Sequence, residues 1–281
     1  MAKRDRQSNR KVIDKRLKQG RGQGRGADYQ PYLRVQDVPS QGLATRIRGW
    51  KTGRDHHFLS LLEWHYFFLL EWSPLVVDIR EQFPLDLDQT CAIAADLGIR
   101  HPVDPRTREP VVMTTDFVNT IRRPVGTMEH ARTLKYAKDL ARPRVMEKFE
   151  IERVYWAARE VDWGIVTELD IDATVVENIK WVHPFRDVSA LAPLTGDAID
   201  HIVTVLTPRV LAGALPLRDL TGACDEQLGL ADGTSLTVVR HLLAARRWQV
   251  DMRVPIRVPE KLTLTGAPEA SPATAVVRKA G

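Results

Sequence analysis

Cysteine is scarce in this sequence: its 281 residues include two, Cys91 and Cys224. Standing so far apart, they form no C-x-x-C pair, so no structural zinc site can be written, and they suit a reducing compartment. Long apolar runs are missing as well. No stretch approaches the ~18–20 residues that a membrane-spanning helix requires, and the basic amino terminus lacks the apolar core of a secretory signal. A cytoplasmic, non-membrane protein is expected. Acidic residues are thin near the amino terminus. Between Lys3 and Arg25 a run of lysines and arginines faces Asp5 and Asp14, with glycines from Gly20 to Gly26. So little apolar surface excludes independent folding, and the segment reads as a flexible basic arm, either phosphate-gripping or merely solubilising. Beyond Val258, Pro, Ala, Thr and Gly replace the apolar periodicity, which reads as a disordered end.

What is present is the composition of a globular protein, 43% hydrophobic and 27% charged, with a formal net charge of +5. That charge points weakly to an anionic partner. The length suits two domains. The expected division is a basic arm over 1–30, a first domain over 31–165, a second over 166–257 and a tail over 258–281. Apolar residues spaced three to four apart from His57 to Trp72 predict a buried helix. "LVVDI" (75–79) and "VVMTTDFV" (111–118) read as strands, with a second apolar segment at Cys91 to Leu97. "ARTLKYA" (131–137) reads as a return strand after the Arg122-Arg123-Pro124-Val125-Gly126 punctuation, and a helix is expected from Arg144 to Arg159. In the second domain, 197–206, 217–230 and 234–247 predict three helices, the last with Asp232 as N-cap. With a strand at 248–252 they would make a winged helix-turn-helix.

The chemistry concentrates on Glu63, Asp116 and Lys135. Phosphodiester hydrolysis needs hard oxygen ligands for a divalent cation and a way to activate water, and carboxylates with a lysine meet both needs. Asp116 interrupts an apolar strand, where an unpaired carboxylate costs several kcal/mol. Alternation puts Thr133 and Lys135 on one face of the return strand. Each residue also has an ordinary reading: Glu63 pairing with an arginine on a solvated helix face, Asp116 capping a main-chain amide, Lys135 lying at the surface. His56, His57 and His65 have no zinc-like partner set. Arg46, Arg48, Lys51 and Arg54 extend the basic character past the arm, and Arg240, Arg246 and Arg247 decorate the expected recognition helix, facing either phosphates or water and acidic protein.

The wording of the chain narrows these readings. "PSQGLATRIRGWKTGRDHHFLSLLEWHYFFLLEWSPLVVDIREQFPL" (39–85), "MTTDFV" (113–118) and "EKFEIERVYWAARE" (147–160) resemble the TnsA endonuclease family, the end-cleaving subunit of heteromeric transposases. The resemblance implies a restriction-endonuclease-like PD-(D/E)xK domain, of α/β class, followed by a winged-helix-like carboxy-terminal domain. It implies an active site of a helix glutamate, a strand aspartate and Gln-x-Lys, which fall on Glu63, Asp116 and Lys135, with Thr133 where the family has glutamine. A main-chain carbonyl near Leu134, or a water, would complete the shell of Mg²⁺, for which Mn²⁺ substitutes. Glu147 is a secondary ligand candidate that, as a helix-surface acid, also reads as structural. The implied function is cleavage of the non-transferred strand at the 5′ ends of a transposon. The implied partners are transposon-end DNA, a DDE transposase of the TnsB type and an AAA+ ATPase regulator of the TnsC type, in a bacterial cytoplasm at the nucleoid. Two alternatives stand beside this: a catalytically inactive adaptor joining DNA to the regulator, and a stand-alone restriction or repair nuclease of the same fold.

Overall fold

The computed structural model of the chain describes residues 10–37 and 45–266, and order begins well before residue 31. α1 (Arg10–Lys18) buries Ile13. The glycine run then folds back on itself, with the Gly22 N–H donating to the Gln30 carbonyl at 2.6 Å. Gly20, Gly22 and Gly24 have φ of +75°, +80° and +88°, and a Cβ on Gly22 would lie 2.2 Å from Pro84 Cγ, so glycine is required there. Gly26 donates its N–H to Asp78 Oδ1, and Tyr29 and Tyr32 are each 2% exposed. The flexible arm expected over 1–30 is thus corrected from Arg10 onward: tyrosines and main-chain hydrogen bonds anchor it, although its composition is polar. Residues 1–9, with Lys3, Arg4 and Arg6, lie outside the described residues.

β1 (Thr45–Arg48) and β2 (Asp55–Phe58) form an antiparallel hairpin where the periodicity had begun a helix at His57. α2 (Leu61–Trp72) starts later because the Ser60 side chain accepts the Glu63 N–H and caps it. β3 (Val76–Pro84), α3 (Leu87–Asp96), β4 (Thr114–Arg122), β5 (Thr127–Leu134), α4 (Pro143–Ala157) and β6 (Asp162–Val166) follow. The segment expected as apolar at 91–97 is therefore mostly the end of α3. β3, β4, β5 and β6 make one mixed sheet in that order, antiparallel except for the β5–β6 pair, whose parallel pairing needs the crossover that α4 provides. Neighbouring residues of β4 serve the two faces: Phe117 meets Tyr66 of α2, while Val118 packs with Leu85, Ala131, Tyr155 and Trp156 on the α4 side. The first unit is mixed α/β, as expected.

The chain divides into two compact units, Met1–Ile171 and Asp172–Gly281. The second contains α5 (Ala173–Val182), which the periodicity did not suggest, then α6 (Gly196–Ala212), α7 (Leu217–Leu228) and α8 (Thr234–Ala244). The strand expected at 248–252 does not form. Gln249 makes an isolated bridge with Gly266, and the following segment is held by one side chain: Asn178 donates to the carbonyls of Met252 and Val254 and accepts the Ile256 N–H. The paired strands of a wing are absent among the described residues. Asp232 is not the cap of α8; Gly233 occupies that position, and the Asp225 carboxylate of α7 accepts the N–H groups of Gly233 and Ser235. The tail expected to be disordered from 258 is packed as far as Gly266, with the Leu217 and Arg218 amides donating to the carbonyls of Glu260 and Val258, and Leu262 buried. Residues 267–281 lie outside the described residues.

Candidate active site

The β4–β5 ladder has Phe117↔Arg132 as its last pair, and beyond it the strands no longer bond to each other. The Leu134 N–H donates instead to Asp116 Oδ2 at 2.6 Å. An open cleft of about 450 Å³ lies at this splayed end, lined by Glu63 from α2, Asp116 from β4, Thr133, Leu134 and Lys135 from the end of β5, and Lys148 and Glu152 from α4.

Glu63 is buried at the first turn of α2, where Oε1 accepts from Ser60 Oγ at 2.8 Å and Oε2 from the Leu59 N–H at 2.9 Å. Ser60 Oγ in turn accepts the Glu63 N–H, so the carboxylate is fixed by the start of its own helix rather than by an arginine. Gln82 of β3 then ties it to Asp116: Nε2 donates to Glu63 Oε2 at 3.2 Å and to Asp116 Oδ1 at 3.5 Å. Gln82 has φ +50°, a left-handed backbone within a strand. Its Oε1 accepts from Thr114 Oγ1 at 3.3 Å.

Burial pushes Glu63 upward, and the Asp116 charge adds to it. Burial also raises Asp116, opposed by the Leu134 N–H and by the charge of Lys135. Two carboxyls joined through one amide resist simultaneous ionisation, so a positive charge between them relieves a real cost.

Thr133 lines the cleft but is 5% exposed, and its hydroxyl donates to Glu152 Oε1 while accepting from Trp163 Nε1 at 3.3 Å. Glu152 is 2% exposed and also accepts from Thr115 Oγ1, whose oxygen takes the Trp156 indole N–H. Its carboxyl is pushed up to about 7, by burial above all. Glu147 pairs with Arg144 at 2.7 Å on the flank of α4, outside the cleft.

The structure therefore brings Glu63, Asp116, Leu134 and Lys135 to one cleft, with the Thr133 hydroxyl directed to Glu152. Sequence reasoning missed Gln82 and Glu152. A signal existed for Glu152, which shares a helix face with Phe149 and Trp156, so a carboxyl sits among core positions. None existed for Gln82, whose reach across β3 and β4 depends on register. Among the described residues no three His, Cys, Asp or Glu side chains gather as a metal cage, and His56 is engaged by Thr52 and Glu81.

The expected DNA contacts divide. Arg46 and Arg48 are exposed on β1. Lys51 Nζ donates to the Ser73 carbonyl at 2.7 Å. Arg54 is 8% exposed and is withdrawn from that set: it grips Glu81 through two hydrogen bonds of 2.8 and 2.6 Å and donates to the carbonyls of Gly26 and Ile79. Arg240 is likewise corrected, since Nε and Nη2 donate to the Trp181 carbonyl and the guanidinium lies 3.8 Å from the Phe185 ring centre. Arg246 and Arg247 are exposed, the latter 3.5 Å from Asp200.

Residues 73–168 match the family model for the TnsA-like endonuclease N terminal, and residues 170–252 match that for the TnsA endonuclease C terminal. Over 195 residues the chain is 44% identical to the transposon Tn7 transposition protein TnsA of Escherichia coli, covering 69% of this chain and 70% of that protein. Asp116, Lys135 and Glu152 fall inside the first match, and Glu63 precedes it.

Proposed function

The chain belongs to the TnsA endonuclease family, and we propose that it is a Mg²⁺-dependent DNA endonuclease cutting the non-transferred strand at the 5′ ends of a transposon. The observation that carries the chemistry is the Gln82 amide joining Glu63 and Asp116 beside Lys135.

The donor set fits a divalent cation of the magnesium class: two hard carboxylates, both raised by burial, at a cleft open to solvent. Glu63, Asp116 and the main-chain carbonyl of Leu134 would hold it. When bound there, Mg²⁺, or Mn²⁺ in its place, supplies the charge that polarises the phosphate and acidifies water. The residues themselves do the positioning. Gln82 and the Ser60 cap fix the Glu63 carboxylate, and the Leu134 N–H fixes that of Asp116. Lys135 holds the attacking water or neutralises the phosphate oxygens as one P–O bond forms and another breaks. Thr133 acts through Glu152 rather than as a ligand.

In this reading the first unit is a PD-(D/E)xK nuclease with Thr133-x-Lys135 as its terminal motif. The second unit, built on α6 to α8, is the domain that meets the AAA+ ATPase regulator of the TnsC type, and a DDE transposase of the TnsB type processes the other strand. Asp116→Ala is expected to abolish Mg²⁺-dependent 5′-end cleavage in a reconstituted reaction while the protein stays folded; unchanged cleavage rejects the nuclease. One observation favours the inactive adaptor, the engagement of the Thr133 hydroxyl by Glu152. Calorimetric titration with Ca²⁺ separates the two, because an adaptor shows no metal uptake that depends on Asp116.

A further inference from the structure

We propose that Lys148 is a second phosphate-contacting residue of the cleft, holding the DNA phosphate next to the one being cut; this rests on the nuclease reading above. Lys148 lines the same cleft as Glu63, Asp116 and Lys135 but stands on its α4 wall, one turn before Glu152. The charges of α4 explain why it is available. Arg144 pairs with Glu147 at 2.7 Å and Arg153 with Glu150 at 2.6 Å, each three residues apart on the helix. Among the described residues Lys148 has no such ion pair and no side-chain hydrogen bond. Its neighbours are instead cations: burial first, then the charges of Arg144 and Lys135, lower the affinity of its ammonium for a proton.

An exposed lysine that makes no ion pair would ordinarily swing away from two positive groups into water. At the wall of a cleft that already carries Lys135, the arrangement becomes favourable when a polyanion enters, because each phosphate then faces a separate cation. Lys135 lies next to Asp116 and serves the phosphate at the carboxylates. Lys148, reaching in from a different element, is left for an adjoining one. An ammonium suits this position because it meets a phosphate as a point charge and needs no bidentate geometry.

The test uses the full chain and a duplex carrying the transposon end, with binding followed by fluorescence anisotropy in Ca²⁺ over a series of salt concentrations. Lys148→Ala is expected to weaken binding several-fold and to lower the slope of log K against log salt by about 0.9, the loss of one phosphate contact. Lys148→Arg should restore both, and the thermal melting curve of each variant should match that of the unaltered chain. A residue serving only to steady α4 would alter the melt and leave the slope alone, which overturns the proposal, as does a failure of Lys148→Arg to restore the slope. The nuclease reading is checked in the same titration by the gain in affinity that Ca²⁺ confers and Asp116→Ala removes. If the unaltered chain has no such gain, that reading fails and the Lys148 assignment with it. An intact gain with an unchanged Lys148→Ala slope overturns the Lys148 assignment alone.

Discussion

Glu152 titrates above its ordinary range because its carboxyl lies in the interior: burial pushes it from 4.5 up to about 7, against the pull of the two threonine hydroxyls that donate to it and lower it. The folded protein thus holds this proton more tightly than the unfolded chain does. Its contribution to stability is full below pH 4.5 and is lost as the pH rises to about 7. Across that window the loss is roughly 3 kcal/mol. Glu152→Gln remains neutral at every pH and still accepts from Thr133 and Thr115. The melting temperature of the variant relative to the parent should therefore rise as pH is taken from about 5 to about 8; a constant difference would mean that Glu152 ionises as it does in the unfolded chain. Glu152 also marks the limit of reading single residues. Glu63 and Asp116 lie within the strings that carry the family resemblance and Lys135 was placed by strand alternation, whereas Thr133 could be read only as standing where the family has glutamine. Its hydroxyl is engaged by Glu152, a partner nineteen residues away that no spacing rule connects to it.

At the scale of elements, the long amphipathic helices and the strands carrying Asp116 and Lys135 follow from periodicity, and their ends do not. α2 begins after Ser60 because a side-chain cap is available there, although apolar spacing continues upstream into β2. α1 and the glycine turns escaped notice because their stability comes from tertiary anchors such as Tyr29 and Tyr32, not from an apolar face. α8 is the sharpest case. Asp232 has the residue type and the position of an N-cap, yet the amides at the start of the helix are satisfied by Asp225, which is 2% exposed. Removing that carboxylate leaves buried donors unmet, so Asp225→Ala should cost about 1–3 kcal/mol in urea denaturation. Asp232→Ala should change stability by less than about 0.5 kcal/mol. The reverse order would restore the cap suggested by the sequence.

For the whole molecule, a net charge of +5 overstates what is free to meet DNA, since Arg54 is buried against Glu81 and the half-buried Arg240 is engaged by the Trp181 carbonyl. Arg54 shows what such a cation does instead. Burial would raise Glu81, but His56 and Arg54 together hold it well below the usual carboxylate range, and the Arg54 bonds to Gly26 and Ile79 join the amino-terminal turns to β3. Arg54→Met removes one partner and leaves a carboxylate in the interior, a loss of roughly 3–5 kcal/mol. The chain divides at Ile171 and Asp172, with Arg54 in one unit and Asp225 in the other. If each unit unfolds as its own cooperative block, scanning calorimetry of the full chain should resolve two transitions. Arg54→Met should then lower one of them and Asp225→Ala the other, with the double variant lowering both by the single-variant amounts, as distant sites do. One transition shifted by either substitution would make the two units a single folding block. Both single variants should keep the salt slope of DNA binding, because neither side chain is placed to meet a phosphate.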